Sequence, residues 1–561
     1  MKLLLKNGTI VNVFTDSLER ADVLIENEKI IGVGEYDESD ADVVEDVSGK
    51  YISPAFIDGH IHIESTMLTP FELAKICLPC GTVSIFADPH EIANVCGVDG
   101  IKYMLQASEG LPMNVYLNLP SCVPATPFDE SGAALGANEL RELYAEERVV
   151  GLAEMMNYPA VINDDKGVLD MISDAHASGK AVDGHAPMLS GKALDKYISA
   201  GIQSDHECSK FTEALAKLAR GQWIMIRQGT AARNLRALLP LFDEPYNRRC
   251  LLVTDDRHPA DIASEGHIDN IIRRAIGFGA FPTVAIRMAS LQAAQRFGLS
   301  YVGAIAPAYR ADILVLDDLK SVSIRDVYSR GKRVVENGRV IEFDEPRVDA
   351  PLLDKVYNSF HLNELSASDF YIEPKSDSCR VIKVISGELV TDELRLDINW
   401  SENNGVDVDR DILKLAVIER HKNTGHKGLG FISGIGLKRG AIASSVSHDS
   451  HNLIVIGTND EDMAIAANHI RSAGGNVVVC DGEIIAQMPL PIGGLMTDEP
   501  AEKISRKNAE VRSAVYDLGV SEDIEPFMNM AFVSLPVIPS LKMTTKGLVD
   551  VNSWTRVSLY L

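Results

Sequence analysis

The sequence predicts an α/β protein with a (β/α)8 TIM-like barrel, a small β-domain from both flanks of the barrel, and an additional C-terminal α/β domain. Eight short apolar runs between residues 52 and 301 alternate with amphipathic segments of helix length, which is the pattern of βα units. Eight such units in about 250 residues have the size of a TIM barrel. A doubly wound sheet would instead need a glycine-rich first turn, and the sequence has none there.

The segments on either side of the barrel have a β-strand pattern without helix-length amphipathic segments. Residues 1–51 and 302–345 consist of short Val- and Ile-rich runs separated by turn signals such as Asn7-Gly8 and Asn337-Gly338. We therefore predict one composite β-domain from residues 1–51 and 302–345, with the barrel at 52–301. Residues 370–561 return to mixed α/β patterning and predict the C-terminal domain.

Composition excludes several classes of partner. The chain has 80 acidic and 54 basic residues, and the formal net charge of −26 disfavours nucleic acid and anionic membranes as partners. No apolar run reaches the ~20 residues of a membrane span. Eight cysteines in 561 residues imply no disulfide framework. We expect a cytoplasmic protein with a small-molecule substrate, and by base rate a homo-oligomer, a dimer or larger.

The most informative residues are those that end the apolar runs. The first run ends in His60-Ile61-His62, and residues two apart on an extended segment point to the same side. Four more potential metal ligands end later runs, namely Glu154 on the fourth, His185 on the fifth, His206 on the sixth and Asp255 on the eighth. Because the C-terminal ends of barrel strands form one rim, these six side chains should meet there.

Such a set predicts a metal centre. Four imidazoles and two carboxylates exceed the needs of one catalytic zinc with an open position, and they suit two divalent ions bridged by a carboxylate and a water. An H-x-H pair alone is a weak signal, since the chain has 14 histidines. Six metal-type side chains at matching ends of five strands form a much stronger one.

The order HxH, Glu, His, His, Asp resembles the amidohydrolase superfamily, which pairs a metal-dependent hydrolase barrel with a small β-domain from both flanks. Within it, four stretches are similar to bacterial and archaeal adenine deaminases, and the resemblance spans nearly the whole chain. They are PAFIDGHIHIEST (54–66), ADPHEI (87–92), TDDRHP (254–259) and SVSHDSHN (445–452). The HxH pair is common to the superfamily, whereas HIHIES and ADPHE together are more specific.

The resemblance implies hydrolytic deamination of adenine to hypoxanthine and ammonia by a metal-activated hydroxide, in purine salvage. It implies two divalent ions per chain, Mn²⁺ rather than zinc, with Fe²⁺ as the other choice. Glu154 would bridge the ions, in the position where urease- and dihydroorotase-like relatives carry a carboxylated lysine. Asp255 would contact a metal and also act as the catalytic base that moves the proton. The alternatives are an amidohydrolase of another cyclic amide or amine, and a catalytically silent scaffold.

Further candidates lie near the same rim. His90 and Glu91 follow the second run and are candidate catalytic residues for proton transfer, and Asp88 beside them is a candidate substrate contact; a turn stabilised by polar side chains is the other interpretation. Arg227 ends the seventh run, where it could bind the substrate or pair with an acidic neighbour. His448 in the C-terminal polar cluster is a further candidate substrate contact, or part of a hydrogen-bonded loop.

Overall fold

The computed structural model describes residues 1–230, 232–401 and 403–561. The chain divides into two compact units. The first comprises Met1–Pro89, Met104–Ser121 and Gly136–Arg347, and the second comprises His90–Tyr103, Cys122–Leu135 and Val348–Leu561. Two short segments from the barrel half of the sequence therefore belong to the same unit as the C-terminal region.

The first unit contains the predicted barrel. Its eight parallel strands are, in chain order, Phe56–Ile61, Thr82–Ala87, Asn114–Leu119, Val149–Met155, Ala181–Gly184, Ser204–Asp205, Trp223–Arg227 and Cys250–Val253. Strands one to five and six to eight form two ladders. The amide of Gln203 donates to the carbonyl of Val182 (3.0 Å) and the amide of Asp255 to that of His60 (2.9 Å), so both gaps are bridged. The predicted fold class is confirmed.

The first apolar run, Ile52–Ile57, is divided between two sheets. Tyr51–Pro54 pairs antiparallel with Ile313–Asp318, outside the barrel, and the first barrel strand begins at Phe56. The amide of Ala55 still donates to Asp312, and the next amide, that of Phe56, donates to Gly81 at the start of the second barrel strand. Both halves are buried, so an unbroken apolar run cannot show where the chain changes sheets.

Helices occupy the connections that the amphipathic segments predict. Thr69 and Asp165 act as N-caps, accepting the amides of Glu72 and Val168, which fixes the starts of two helices. In chain order the helices are Pro70–Cys77, His90–Cys96, Val98–Ala107, Ala137–Leu140, Tyr158–Ile162, Lys166–Ala177, Gly191–Ser199, Phe211–Leu218, Leu235–Leu238, Pro259–Glu265, Ile268–Gly277, Pro282–Met288 and Leu291–Arg296.

Two further sheets of the first unit use strands from both flanks of the barrel. A seven-stranded sheet has the order Arg339–Val340, Lys332–Glu336, Ser323–Ser329, Ile313–Asp318, Tyr51–Pro54, Thr9–Asn12, Ser17–Arg20. A four-stranded sheet has the order Lys29–Gly34, Asp22–Glu26, Lys2–Lys6, Val43–Asp46. Ile10, Val23, Ile52 and Ile313 share one buried core, so the chain's two flanks fold together.

The second unit is built on an eight-stranded mixed sheet. Its order is Thr391–Asp397, Ser378–Val384, Lys427–Ser433, Leu413–Ile418, Leu453–Gly457, Ala441–Ser444, Asn476–Cys480, Glu483–Met488. A three-stranded sheet follows with Leu541–Thr544, Gly547–Asp550 and Thr555–Arg556. The helices after residue 347 are Ala350–Tyr357, Asp460–Ala473, Ala501–Asp517 and Pro526–Phe532. In the described parts of the chain, no helix combines the length and apolar character needed to cross a membrane.

A buried arginine fixes the neighbouring fifth and sixth barrel strands. The guanidinium of Arg296 donates to the carboxylate of Asp183, to the carbonyl of Val182 (2.9 Å) and to the hydroxyl of Ser204 (3.2 Å). The side chains of Arg296 and Asp183 are each only 1% exposed. A buried charge of this kind is tolerated only with its partner present, so removal of one member leaves the other uncompensated.

We expect Arg296→Met to lower the free energy of unfolding by about 3–5 kcal/mol, because Asp183 would stay buried without its counter-charge. Urea denaturation followed by circular dichroism measures this. The matched control is Arg220→Met, whose partner Asp195 lies at the surface, and we expect its cost to stay within about 1 kcal/mol. Equal losses in the two variants would contradict a structural role for the buried pair.

Candidate active site

The structure brings the six predicted ligands together at the C-terminal end of the barrel. His60 lies in the first strand and His62 just after it, and Glu154 lies in the fourth strand. His185, His206 and Asp255 follow the fifth, sixth and eighth strands. Five of the six are almost fully buried, and His185 is partly exposed. Parallel strands end at a common rim, which is why residues far apart in sequence meet here.

The carboxylate of Glu154 stands between two pairs of imidazoles. Its Oε1 lies 3.3 Å from Nε2 of His62 and 4.0 Å from Nε2 of His60. Its Oε2 lies 2.6 Å from Nδ1 of His185 and 3.1 Å from Nε2 of His206. Each oxygen thus faces a different histidine pair, and the carboxylate contacts both pairs at once.

Asp255 completes the group around the first histidine pair. Its Oδ1 lies 3.1 Å from Nε2 of His62 and 3.6 Å from Nε2 of His60. The backbone of Asp255 has φ +60°, in the left-handed region, which aspartate adopts more readily than most residues. Its amide donates to the carbonyl of His60, which ties this turn to the end of the first strand.

The donor atoms fit a divalent metal. Nδ1 of His62 donates to the carbonyl oxygen of Asp88 (3.1 Å), so Nε2 is the nitrogen that faces the carboxylates. Nε2 of His60 is buried without a hydrogen-bond partner among the described residues. An unpaired buried nitrogen is costly unless something binds it. With imidazole and carboxylate donors, the cluster is consistent with a divalent metal site.

The basic side chains of the cluster keep its two carboxylates ionised. Burial alone would keep Glu154 protonated, but the imidazoles of His206 and His185 outweigh it and hold the pKa of Glu154 well below its ordinary value. Burial is likewise outweighed at Asp255, where the Arg227 guanidinium and the imidazoles of His60 and His62 lower the pKa. Both carboxylates are therefore ionised at neutral pH, ready to attract cations.

Asp58 links the strand ends that carry the ligands. Its Oδ1 accepts the amide of His60 (3.2 Å) and the amide of Thr254 (3.1 Å), and the Thr254 hydroxyl donates to its Oδ2. Nε2 of His267 lies 3.3 Å from the same Oδ2. Burial raises the pKa of Asp58 to about 7 and lowers that of His267 to about 3. The sequence analysis missed both residues, since nothing in the strand pattern distinguishes them from core positions.

Glu207 is a second acidic residue that the sequence analysis missed. Its Oε1 lies 3.5 Å from Nε2 of His206, 3.7 Å from Nδ1 of His185 and 2.5 Å from Nη1 of Arg227. The same Nη1 lies 2.5 Å from Oδ2 of Asp255. Of the two uses that the sequence leaves open for Arg227, the structure shows pairing with acidic neighbours. Its position in the sequence could have identified Glu207 as a site residue, because it directly follows His206 at the end of the sixth strand.

Three other predicted site residues meet in the second unit. His90 and Glu91 begin the helix His90–Cys96, and His448 lies in the loop after the strand Ala441–Ser444. Oε1 of Glu91 lies 3.4 Å from Nδ1 of His448. Its Oε2 lies 3.9 Å from Nε2 of His451, and Nε2 of His90 lies 3.9 Å from Oδ1 of Asp449. The structure groups these side chains, and their catalytic and substrate-binding roles stay predictions.

Two family models match the chain. Residues 51–334 match the amidohydrolase family, and residues 388–555 match the adenine deaminase C-terminal domain. The first match covers the barrel with its ligand-bearing strand ends, and the second covers most of the region after residue 370. Together they account for most of the sequence.

Proteins similar over the full length carry one common name. The chain is 45% identical over 561 residues to "Adenine deaminase 2" of Carboxydothermus hydrogenoformans, covering 100% of this chain and 97% of the relative. It is 45% identical to the adenine deaminase of Desulfatibacillum aliphaticivorans (100% and 97% covered) and 44% identical to that of Clostridium acetobutylicum (98% and 96% covered). With barrel, ligand set and C-terminal region all matched, the chain belongs to the adenine deaminase family of amidohydrolases.

Proposed function

We propose that this protein hydrolyses adenine to hypoxanthine and ammonia, a reaction of purine salvage. Full-length relatives named adenine deaminases support the substrate. The observation that carries the chemistry is the position of Glu154, one oxygen facing each of two histidine pairs. Hydrolysis of another cyclic amide or amine, the other enzymatic function that the sequence leaves open, is not favoured by these full-length relatives.

We further propose that the site holds two divalent ions, Mn²⁺ in preference to Fe²⁺. His60, His62 and Asp255 would hold one ion and His185 and His206 the other, with Glu154 between them. Two ions there would supply a water nucleophile at neutral pH by lowering the pKa of that water. The ligand types alone suit several divalent metals, so the preference for Mn²⁺ comes from the family resemblance.

In the proposed reaction, Asp255 is the base. The oxygen of water forms a bond to C6 of adenine, the bond from C6 to the exocyclic nitrogen breaks, and the nitrogen leaves as ammonia. Asp255 accepts the proton that the attacking water loses and returns it toward the leaving nitrogen. Its low pKa keeps it deprotonated before the attack. His90 and Glu91 are proposed to transfer protons to the purine, and Asp88 and His448 to contact it.

We also propose that the protein is cytoplasmic and forms a homo-oligomer. All eight cysteines are free thiols, which fits the reducing conditions of the cytoplasm. The homo-oligomer, a dimer or larger, is proposed from the base rate alone, since most soluble oligomers are built from identical chains. Sedimentation analysis of the purified protein determines the oligomer size.

We expect the protein purified in chelator and reloaded with Mn²⁺ to convert adenine to hypoxanthine, measured by ultraviolet absorbance and ammonia release. Elemental analysis should give about two ions per chain. The chelated protein should lack activity, since the proposed water nucleophile depends on the ions. Turnover of a cyclic amide but not adenine would contradict the proposed substrate, and a metal-free active enzyme would contradict the proposed chemistry.

We expect Glu154→Gln to weaken metal binding itself, because a neutral amide cannot bridge two cations as a carboxylate does. Titration of the chelated variant with Mn²⁺ by calorimetry measures the loss. The matched control is Glu109→Gln, at an exposed position of the same unit, where affinity should equal that of the wild type. Two ions bound with unchanged affinity in Glu154→Gln would rule out the bridge.

We expect Asp255→Asn to retain the fold and most of the metal while kcat falls about 10²–10⁴-fold, since an amide cannot accept the proton. Steady-state kinetics and elemental analysis of the same sample test both parts. Asp243→Asn, an exposed residue of the same unit, serves as the control. Near-normal kcat in Asp255→Asn would refute its role as base.

A further inference from the structure

We propose that Arg227 is the positioning residue of Asp255, and that Glu207 holds Arg227 in place. The sixth, seventh and eighth barrel strands would thereby share one carboxylate–guanidinium–carboxylate bridge beside the metal ligands. The inference rests on the proposed function, because it assigns the orientation of the proposed base. It gives Arg227 a task other than contact with the substrate, and it adds Glu207 to the site.

The bridge is short and buried. Nη1 of Arg227, at the end of the strand Trp223–Arg227, lies 2.5 Å from Oε1 of Glu207 and 2.5 Å from Oδ2 of Asp255. The three side chains are 12%, 15% and 5% exposed, respectively. Charge-assisted hydrogen bonds of this length in a buried setting are stronger and more directional than those at a surface. One nitrogen therefore restrains two carboxylates at once.

The ion pair with Arg227 gives the two carboxylate oxygens of Asp255 different environments. Oδ2 is engaged by Arg227, and Oδ1 faces the imidazoles of His62 and His60 at 3.1 and 3.6 Å. Rotation of the carboxylate about its Cβ–Cγ bond would exchange these environments. The arginine opposes that rotation and keeps Oδ1 as the oxygen on the side of the proposed ligands. A base must be aligned with the proton it accepts, and a misplacement of about 1 Å can cost about 10²-fold in rate.

Glu207 supplies the other end of the bridge. Without Glu207, the guanidinium of Arg227 would keep only Asp255 as a carboxylate partner among the described residues. The guanidinium would then move together with Asp255 instead of restraining it. Without Arg227, Glu207 and Asp255 would lose the positive charge that separates them. Lysine is a poor substitute, because a compact ammonium on a flexible stem does not reproduce the planar guanidinium geometry.

The experiment compares Arg227→Ala, Arg227→Lys and Glu207→Gln with the wild type in the Mn²⁺-loaded full-length protein. The control is Arg220→Ala, which removes a surface ion pair in the same unit. For Arg227→Ala we expect kcat to fall about 10²-fold with KM for adenine and metal content unchanged. Guanidinium added to the buffer should restore part of that kcat. Arg227→Lys should restore little, and the double variant Arg227→Ala/Glu207→Gln should lose no more than Arg227→Ala.

The outcomes separate the possibilities. A raised KM with unchanged kcat in Arg227→Ala would assign Arg227 to substrate binding and overturn the proposal, as would unchanged kinetics or additive losses in the double variant. Loss of metal or of folding shared by Arg227→Lys would assign the bridge a purely structural role and also overturn it. An inactive wild type would overturn the proposed function instead. In that case the absorption spectrum of the Co²⁺-loaded protein still tests the bridge, because freeing Asp255 should alter it in Arg227→Ala but not in Arg220→Ala.

Discussion

The buried carboxylate of Glu154 is the group on which the rest of the site depends. It lies at the centre of the rim, and the four histidines are arranged around its two oxygens. In a buried setting each of these electrostatic contacts is stronger than it would be in water, and an uncompensated charge is correspondingly costly. The guanidinium of Arg227 pairs with Asp255 and Glu207, whereas the Glu154 carboxylate lies among the imidazoles.

A second layer of polar contacts keeps the strand ends in register. Asp58 joins the amide of His60 to that of Thr254, across the closure between the first and eighth strands. The fully buried Lys217 joins the ends of the fifth and sixth strands. Its ammonium donates to the carbonyl of Ala186 and lies 3.1 Å from the carboxylate of Asp205. The residues that these contacts hold are direct neighbours of His185, His206 and Asp255. Ligand geometry is therefore a property of the barrel, not of the ligands alone.

The sequence was sufficient to predict the six candidate ligands because one rule, that parallel strands end at a common rim, converts sequence positions into proximity. The same rule did not single out Glu207, Asp58 or His267. The roles of these three depend on side-chain direction and loop path, which a strand pattern does not encode. The division of the run Ile52–Ile57 between two sheets could not be predicted for the same reason. Apolar periodicity identifies buried segments but not the neighbours that bury them.

The second unit contains segments of the chain that are synthesised at very different times. Helix His90–Cys96 and residues 122–135 leave the ribosome long before the strand Lys427–Ser433 and the loop that carries His448. The carbonyl of Glu130 accepts the side-chain amide of Asn452, 322 positions later. A nascent chain must therefore carry these early segments without their partners until synthesis is nearly complete. A gene split after Arg347 would place these segments on separate polypeptides, so neither half would hold the whole second unit and fold it alone.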